Sequence, residues 1–112
     1  MPTVFVIHGG GHSFKSAEDF GKLVIMSEGL ISKFHITKMF REFEQFLKDS
    51  SEDDYLLQSG PTVMNMIASA IFAAKHGCLN LLVWRVEGHG RERYVSRRLI
   101  FRKESYNVPK VT

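Results

Sequence analysis

Three groups of residues in this chain have the types and spacing that bear on chemistry. The first is the run His8-Gly9-Gly10-Gly11-His12. Glycines directly after an apolar stretch let the backbone take positive-φ paths and approach a ligand closely. Imidazoles beside such a loop suit a general base or a zinc ligand. The second is Ser59-Gly60-Pro61-Thr62, in front of a helix-forming stretch. There free N–H groups, the helix dipole and two hydroxyls suit a phosphate or carboxylate. The third is the basic C-terminal quarter, where His89, Arg91, Arg93, Arg97, Arg98, Arg102 and Lys103 are interspersed with Tyr94 and Phe101. Residues of that kind on a hairpin can follow a phosphate backbone and stack on bases.

None of these groups completes a known signature. No Walker-type lysine or GxGxxG accompanies Ser59 to Thr62. A nucleophile elbow at Ser59 would need glycine at positions 57 and 61, which hold Leu57 and Pro61, so serine hydrolysis is set aside. His8, His12 and His89 have no cysteine to support a metal, and neither a metal nor a cofactor is expected. Each group also has a plain structural account: an N-cap at Ser59 or Thr62, a loop with unusual dihedrals at the glycines, and charged residues that protect an edge strand. His76, one residue before Gly77, is expected to meet the C-terminal carbonyls of its own helix.

The elements that position these residues follow from composition and periodicity. With 112 residues, 44% hydrophobic and 24% charged, the chain suits one folded domain rather than a membrane or disordered protein. The opening MPTVFVIHGG has neither a basic flank nor a small-residue cleavage site, so it reads as a strand and not a signal peptide, and a cytoplasmic protein is expected. The single cysteine, Cys78, has no internal disulfide partner and reads as a small core residue. Charge is uneven. Residues 1–84 hold seven Lys/Arg against nine Asp/Glu, whereas residues 85–112 hold eight against three.

Thr3 to His8 is an unalternating apolar run, which predicts a central strand buried on both faces. Lys22 to Met26 predicts a second strand, and Ser16 to Phe20 a helical turn before it. Met39, Phe40, Phe43, Phe46 and Leu47 recur at helical spacing, predicting a helix over 37–48 capped by Thr37. The acidic segment Asp49 to Asp54 predicts an exposed connection. Residues 55–86 then read as strand, Gly-Pro turn, apolar helix, glycine stop at Gly77, and strand, which is a βαβ unit. Glu87 to Arg93 predicts a hairpin loop and Tyr94 to Arg102 a returning edge strand.

The expected fold is therefore a single small α/β domain over residues 1–104. It has a mixed sheet of about five strands, two main helices, one βαβ unit (55–86) and a C-terminal antiparallel hairpin, followed by an extended tail, 105–112. The helix 62–75 is apolar on nearly every face and must be covered on more than one side, by the sheet and by either the first helix or another subunit, so a homodimer through it is one of the two expected arrangements. Parallel strands bring their carboxyl ends to one edge, where α/β sheets bind ligands. That edge is expected to gather His8, Gly9, Gly10, His12, Ser59, Gly60, Thr62, His89, Arg91 and Arg93. The function expected there is non-enzymatic recognition of a phosphate-bearing ligand, a nucleotide or nucleic acid. The alternatives are a homodimeric interaction or inhibitor protein and a small histidine-dependent enzyme.

Overall fold

The computed structural model describes residues 1–10, 13–29 and 34–101. Five strands form one mixed sheet in the order β2-β1-β3-β4-β5. These are β1 (Thr3–Val6), β2 (Lys22–Ile25), β3 (Tyr55–Leu57), β4 (Cys78–Glu87) and β5 (Arg91–Ile100). Strands β1 to β4 run parallel, and β5 returns antiparallel along the whole of β4. The α/β class, the βαβ unit and the C-terminal hairpin stand as read, but the hairpin loop is residues 88–90 rather than 87–93, so Arg91 and Arg93 lie on β5, which runs Arg91–Ile100 rather than from Tyr94 to Arg102. The tail 105–112, with Gly11, His12, Arg102, Lys103 and Glu104, lies outside the described residues.

Both faces of the sheet are covered. Phe5, Ile7 and Leu56 point to the face that carries the two helices, α1 (Ile36–Leu47) and α2 (Thr62–His76). Val4, Val6, Leu57 and Leu82 point to the other, covered by Phe14 and Ala17 of the segment that holds the short 3-10 helix Lys15–Asp19. This is why the β1 sequence does not alternate in polarity. Each helix buries one stripe spaced by four residues: Met39, Phe43 and Leu47 on α1, and Met64, Ala68 and Phe72 on α2. Burying Phe43 or Phe72 this fully makes truncation to alanine cost about 3–5 kcal/mol.

Several local expectations need correction. Position 35 is the N-cap of α1 and Thr37 lies inside its first turn, so Thr37 is not the cap. Phe40 and Phe46, assigned to the apolar face, stay 42% and 41% exposed because they flank the buried stripe. The segment 49–54 is not a simple exposed connection, for Ser50 and Asp54 are buried. Asp54 accepts from Thr3 N–H at 2.8 Å and from Ser51 N–H at 2.7 Å, which fastens the segment to the start of β1.

His76 does not serve its own helix. Its Nε2 lies 2.8 Å from Ser50 Oγ, whose hydroxyl donates to the Leu47 carbonyl at the end of α1. Lys75 Nζ donates to the Leu47 and Lys48 carbonyls. The last turn of α2 therefore caps α1. Gly77 ends α2 in the left-handed region, φ 69°, as a C-terminal glycine does.

Candidate functional site

The order β2-β1-β3 means that the chain leaves β1 toward one side for β2 and returns on the other side for β3. In open α/β sheets such a reversal is the topological switch point, and ligands sit outside the carboxyl ends of the strands there. Here those ends are Ile7 to Gly10 after β1, Met26 to Gly29 after β2 and Gln58 to Pro61 after β3.

His8 stands at the centre. Its backbone N–H donates to Ser59 Oγ at 2.9 Å, which fastens β1 to β3. Its ring Nδ1 lies 2.8 Å from Ser27 Oγ, and Ser27 Oγ donates to the Ile7 carbonyl at 2.9 Å. A hydroxyl has one proton to give, so the bond between Ser27 and His8 is donated by Nδ1–H, and Nε2 is left with its lone pair. Gly9 N–H completes the join by donating to the Ser27 carbonyl at 2.8 Å.

The third wall is the turn into α2. Asn65 accepts from Ser59 N–H at 3.1 Å and donates to the Ser59 and Pro61 carbonyls, both at 2.9 Å. This side chain locks the turn from inside the helix. Gly60 takes φ 76°, and a Cβ there would lie 2.5 Å from His8 Cβ, so the backbone of the turn packs directly against the histidine. Neither Ser59 nor Thr62 caps α2 through its side chain; the N-cap is Pro61. Ser59 Oγ is spent on His8 and on the Leu57 carbonyl. Thr62 lines a cleft of about 360 Å³ that begins at the same turn, with Gln58, Gly60, Asn65, Met66, Ser69 and Leu81.

His89, Arg91 and Arg93 belong to a different place. The last β3–β4 pair is Leu57 with Leu82, yet β4 continues to Glu87, five residues further. At about 3.3 Å per residue the β4–β5 ribbon projects about 16 Å past the sheet edge. Residues 88–90 turn at its tip, with His89 at φ 67°. The single expected edge therefore divides in two: His8, Gly9, Gly10, Ser59, Gly60 and Thr62 gather around the switch point, and His89, Arg91 and Arg93 ride on an arm. His12 lies outside the described residues. Among the described residues no three of His, Cys, Asp and Glu come together as a metal would need.

The ribbon has two unlike faces, because directly paired residues share a face. The pairs Arg85–Arg93, Glu87–Arg91, Leu81–Arg97 and Val83–Val95 lie on the side of α1 and α2. Trp84–Tyr94 and Val86–Glu92 lie on the other side. Trp84 and Tyr94 meet edge to face with ring centroids 4.7 Å apart, and burial raises the Tyr94 hydroxyl above its ordinary pKa. On the helix side Glu87 is the one carboxylate against four guanidiniums, holding Arg85 Nε at 2.9 Å and Arg93 Nη2 at 3.3 Å.

Sequence reasoning did not single out Ser27 or Asn65. Asn65 at the fourth position of a helix that follows Ser-Gly-Pro is a local signal of a side chain turning back on the entering loop. Ser27, 19 residues from its partner, offers no such sign.

The molecule thus defines a small doubly wound α/β domain that carries a basic β-ribbon arm. It belongs to the family of phage Pam3 gp32-like proteins, whose model matches residues 2–98. No curated protein and no solved structure matches it. Among the described residues no helix is long and apolar enough to cross a membrane.

Proposed function

We propose that the chain is a non-enzymatic binding module for a phosphate-bearing ligand, and for nucleic acid in particular, with the helix-side face of the β4–β5 ribbon as its contact surface. The observation that carries this reading is the β4–β5 register. It sets Arg85, Arg91, Arg93 and Arg97 on one face with one acidic residue among them. Alternate residues of a strand stand about 7 Å apart on the same face, so Arg91 and Arg93 form an extended cationic row that suits a polymer of phosphates better than a single anion. The arginines are exposed, and guanidinium forks bind phosphate without first breaking a buried network. The first turn of α2 and the hydroxyl-lined cleft at Thr62 and Ser69 lie on the same side of the sheet.

The test is fluorescence anisotropy of labelled single- and double-stranded oligonucleotides over a salt series. Binding whose logarithm falls linearly with log salt is expected, with replacement of all four arginines by alanine lowering affinity at least about 100-fold and flattening the slope by about 3 to 4 for duplex. Unchanged binding in that variant, or no binding of any nucleic acid or nucleotide, overturns the reading.

A second reading, a homodimer through helix 62–75, rests on one specific feature. Met66, Ala70 and Ala74 form an exposed stripe on α2, along which Ala70 and Ala74 line an open groove with Phe40 and Glu44 of α1. Sedimentation equilibrium separates the two readings, since a monomer at all concentrations removes the dimer and leaves the ribbon untouched.

A further inference from the structure

We propose that the cleft between the start of α2 and strand β4 seats one unpaired base of a nucleic-acid strand whose phosphates lie on the arginine row. This rests on the reading above and names its substrate class, a single strand. The cleft measures about 360 Å³, within the range of small-ligand sites. Ile7 and Leu81 give it an apolar bed, and Met66, 66% exposed, stands beside them. Its polar lining divides into spent and unspent groups. The Asn65 amide is used by the turn that enters α2. Among the described residues, the Gln58 amide and the Thr62 and Ser69 hydroxyls have no hydrogen-bond partner.

A base matches that lining. It is a flat ring for the apolar bed, with donors and acceptors at its edge. A glutamine amide answers both kinds, as it does toward adenine, and serine or threonine hydroxyls answer either. Position ties the base to a strand. Leu81 pairs with Arg97 across the β4–β5 ladder, and Val83 and then Arg85 follow it on the same face. Four residues at about 3.3 Å each put Arg85 about 13 Å along the strand from Leu81. Phosphates held by the arginines therefore run up to the mouth of the cleft. In a duplex the bases are paired and stacked and do not enter without being extruded, so duplex binding reads the ribbon alone.

The experiment is fluorescence anisotropy of the full chain with two labelled probes over one salt series: a single strand of adenine deoxynucleotides and an abasic strand with the same number of phosphates. The intact strand is expected to bind at least about tenfold tighter, the scale of a well-made contact between a side chain and a base, with the same salt slope as the abasic one. Gln58→Ala, at an exposed position, should bring the intact strand about three- to tenfold closer to the abasic one, and Ser69→Leu, which fills the cleft, should abolish the difference. Equal binding of the two probes, or a difference that survives both variants, overturns the proposal. Equal binding with a salt slope that the four arginines account for overturns the cleft alone and leaves the arginine face standing. Binding of neither probe overturns both. The probes are compared on the unaltered protein, so a Ser69→Leu chain that fails to fold leaves the test standing.

Discussion

The switch point and the ribbon arm spend their polar groups in opposite ways. Around His8 the side chains face inward: Ser27, Ser59 and Asn65 all bond to neighbouring backbone, and two glycines close on the ring. On the arm the charges face solvent, and on its helix-side face one carboxylate, paired with Arg85 and Arg93, stands among four arginines. A region whose hydrogen bonds are satisfied internally is held in one geometry. A region whose charges are exposed offers no fixed geometry and gains from a partner that brings opposite charge. The first arrangement fixes a junction of strands, and the second is the one on which the proposed contact with a polyanion rests.

If this contrast holds, perturbing the first region damages folding and perturbing the second damages binding. The largest effect is expected from Gly60→Val. The residue must adopt φ 76° and place its Cβ 2.5 Å from His8 Cβ, so strain and collision together should cost about 3 kcal/mol or more in urea unfolding. A loss under about 1 kcal/mol would mean that the turn relaxes freely and that His8 is not fixed. Next comes the replacement of Arg85, Arg91, Arg93 and Arg97 by alanine, which should leave stability within about 0.5 kcal/mol per site while affinity for nucleic acid collapses. A sharper form is Glu87→Gln. It frees Arg85 and Arg93 from their shared carboxylate and should strengthen binding by about two- to fivefold at low salt, the modest gain expected of exposed ion pairs.

A smaller loss is expected for Asn65→Ala. The side chain accepts one backbone N–H and donates to two carbonyls of the entering turn, so its removal should cost about 1–2 kcal/mol, the usual scale of a helix cap, with ribbon binding unchanged. If ribbon binding fell with it, the two regions would be coupled and the contrast between them would fail.

How much of this was legible in the sequence depends on whether a feature is local. The stop at Gly77 and the unalternating first strand are each written in a dozen residues or fewer and the βαβ unit in one continuous stretch, 55–86, and all three appear in the structure. The division of the expected edge into two regions was not legible, because it depends on how far β4 outruns β3. Tyr55 to Ser59 reads as five residues of strand, but pairing stops at Leu57, where Ser59 turns to receive His8 N–H. Asp54 looked like part of a solvated acidic loop because its partner, Thr3 N–H, lies 51 residues away. The same separation hides Ser59 from His8, and a propensity argument has no term for either. The two faces of the arm were hidden as well, because the glycines make 87–93 read as a loop, and only the tight turn at 88–90 sets the register that puts Arg91 and Arg93 on one face.

The smallest predicted effect concerns pH, and it asks which histidine gives the fold its acid sensitivity. Burial, and then the neighbouring Lys75 charge, lower the His76 pKa below its ordinary 6.5, against smaller opposing contributions from Asp54 and Glu52. A group whose pKa is lower in the folded state binds protons more weakly there than in the unfolded chain. Its contribution is therefore fully present above about pH 6.5 and is lost as the pH falls through the lowered value. In urea titrations between about pH 7.5 and 5, His76→Gln should remove part of the decline while keeping a donor for Ser50 Oγ. An unchanged decline in His76→Gln would place the sensitivity elsewhere.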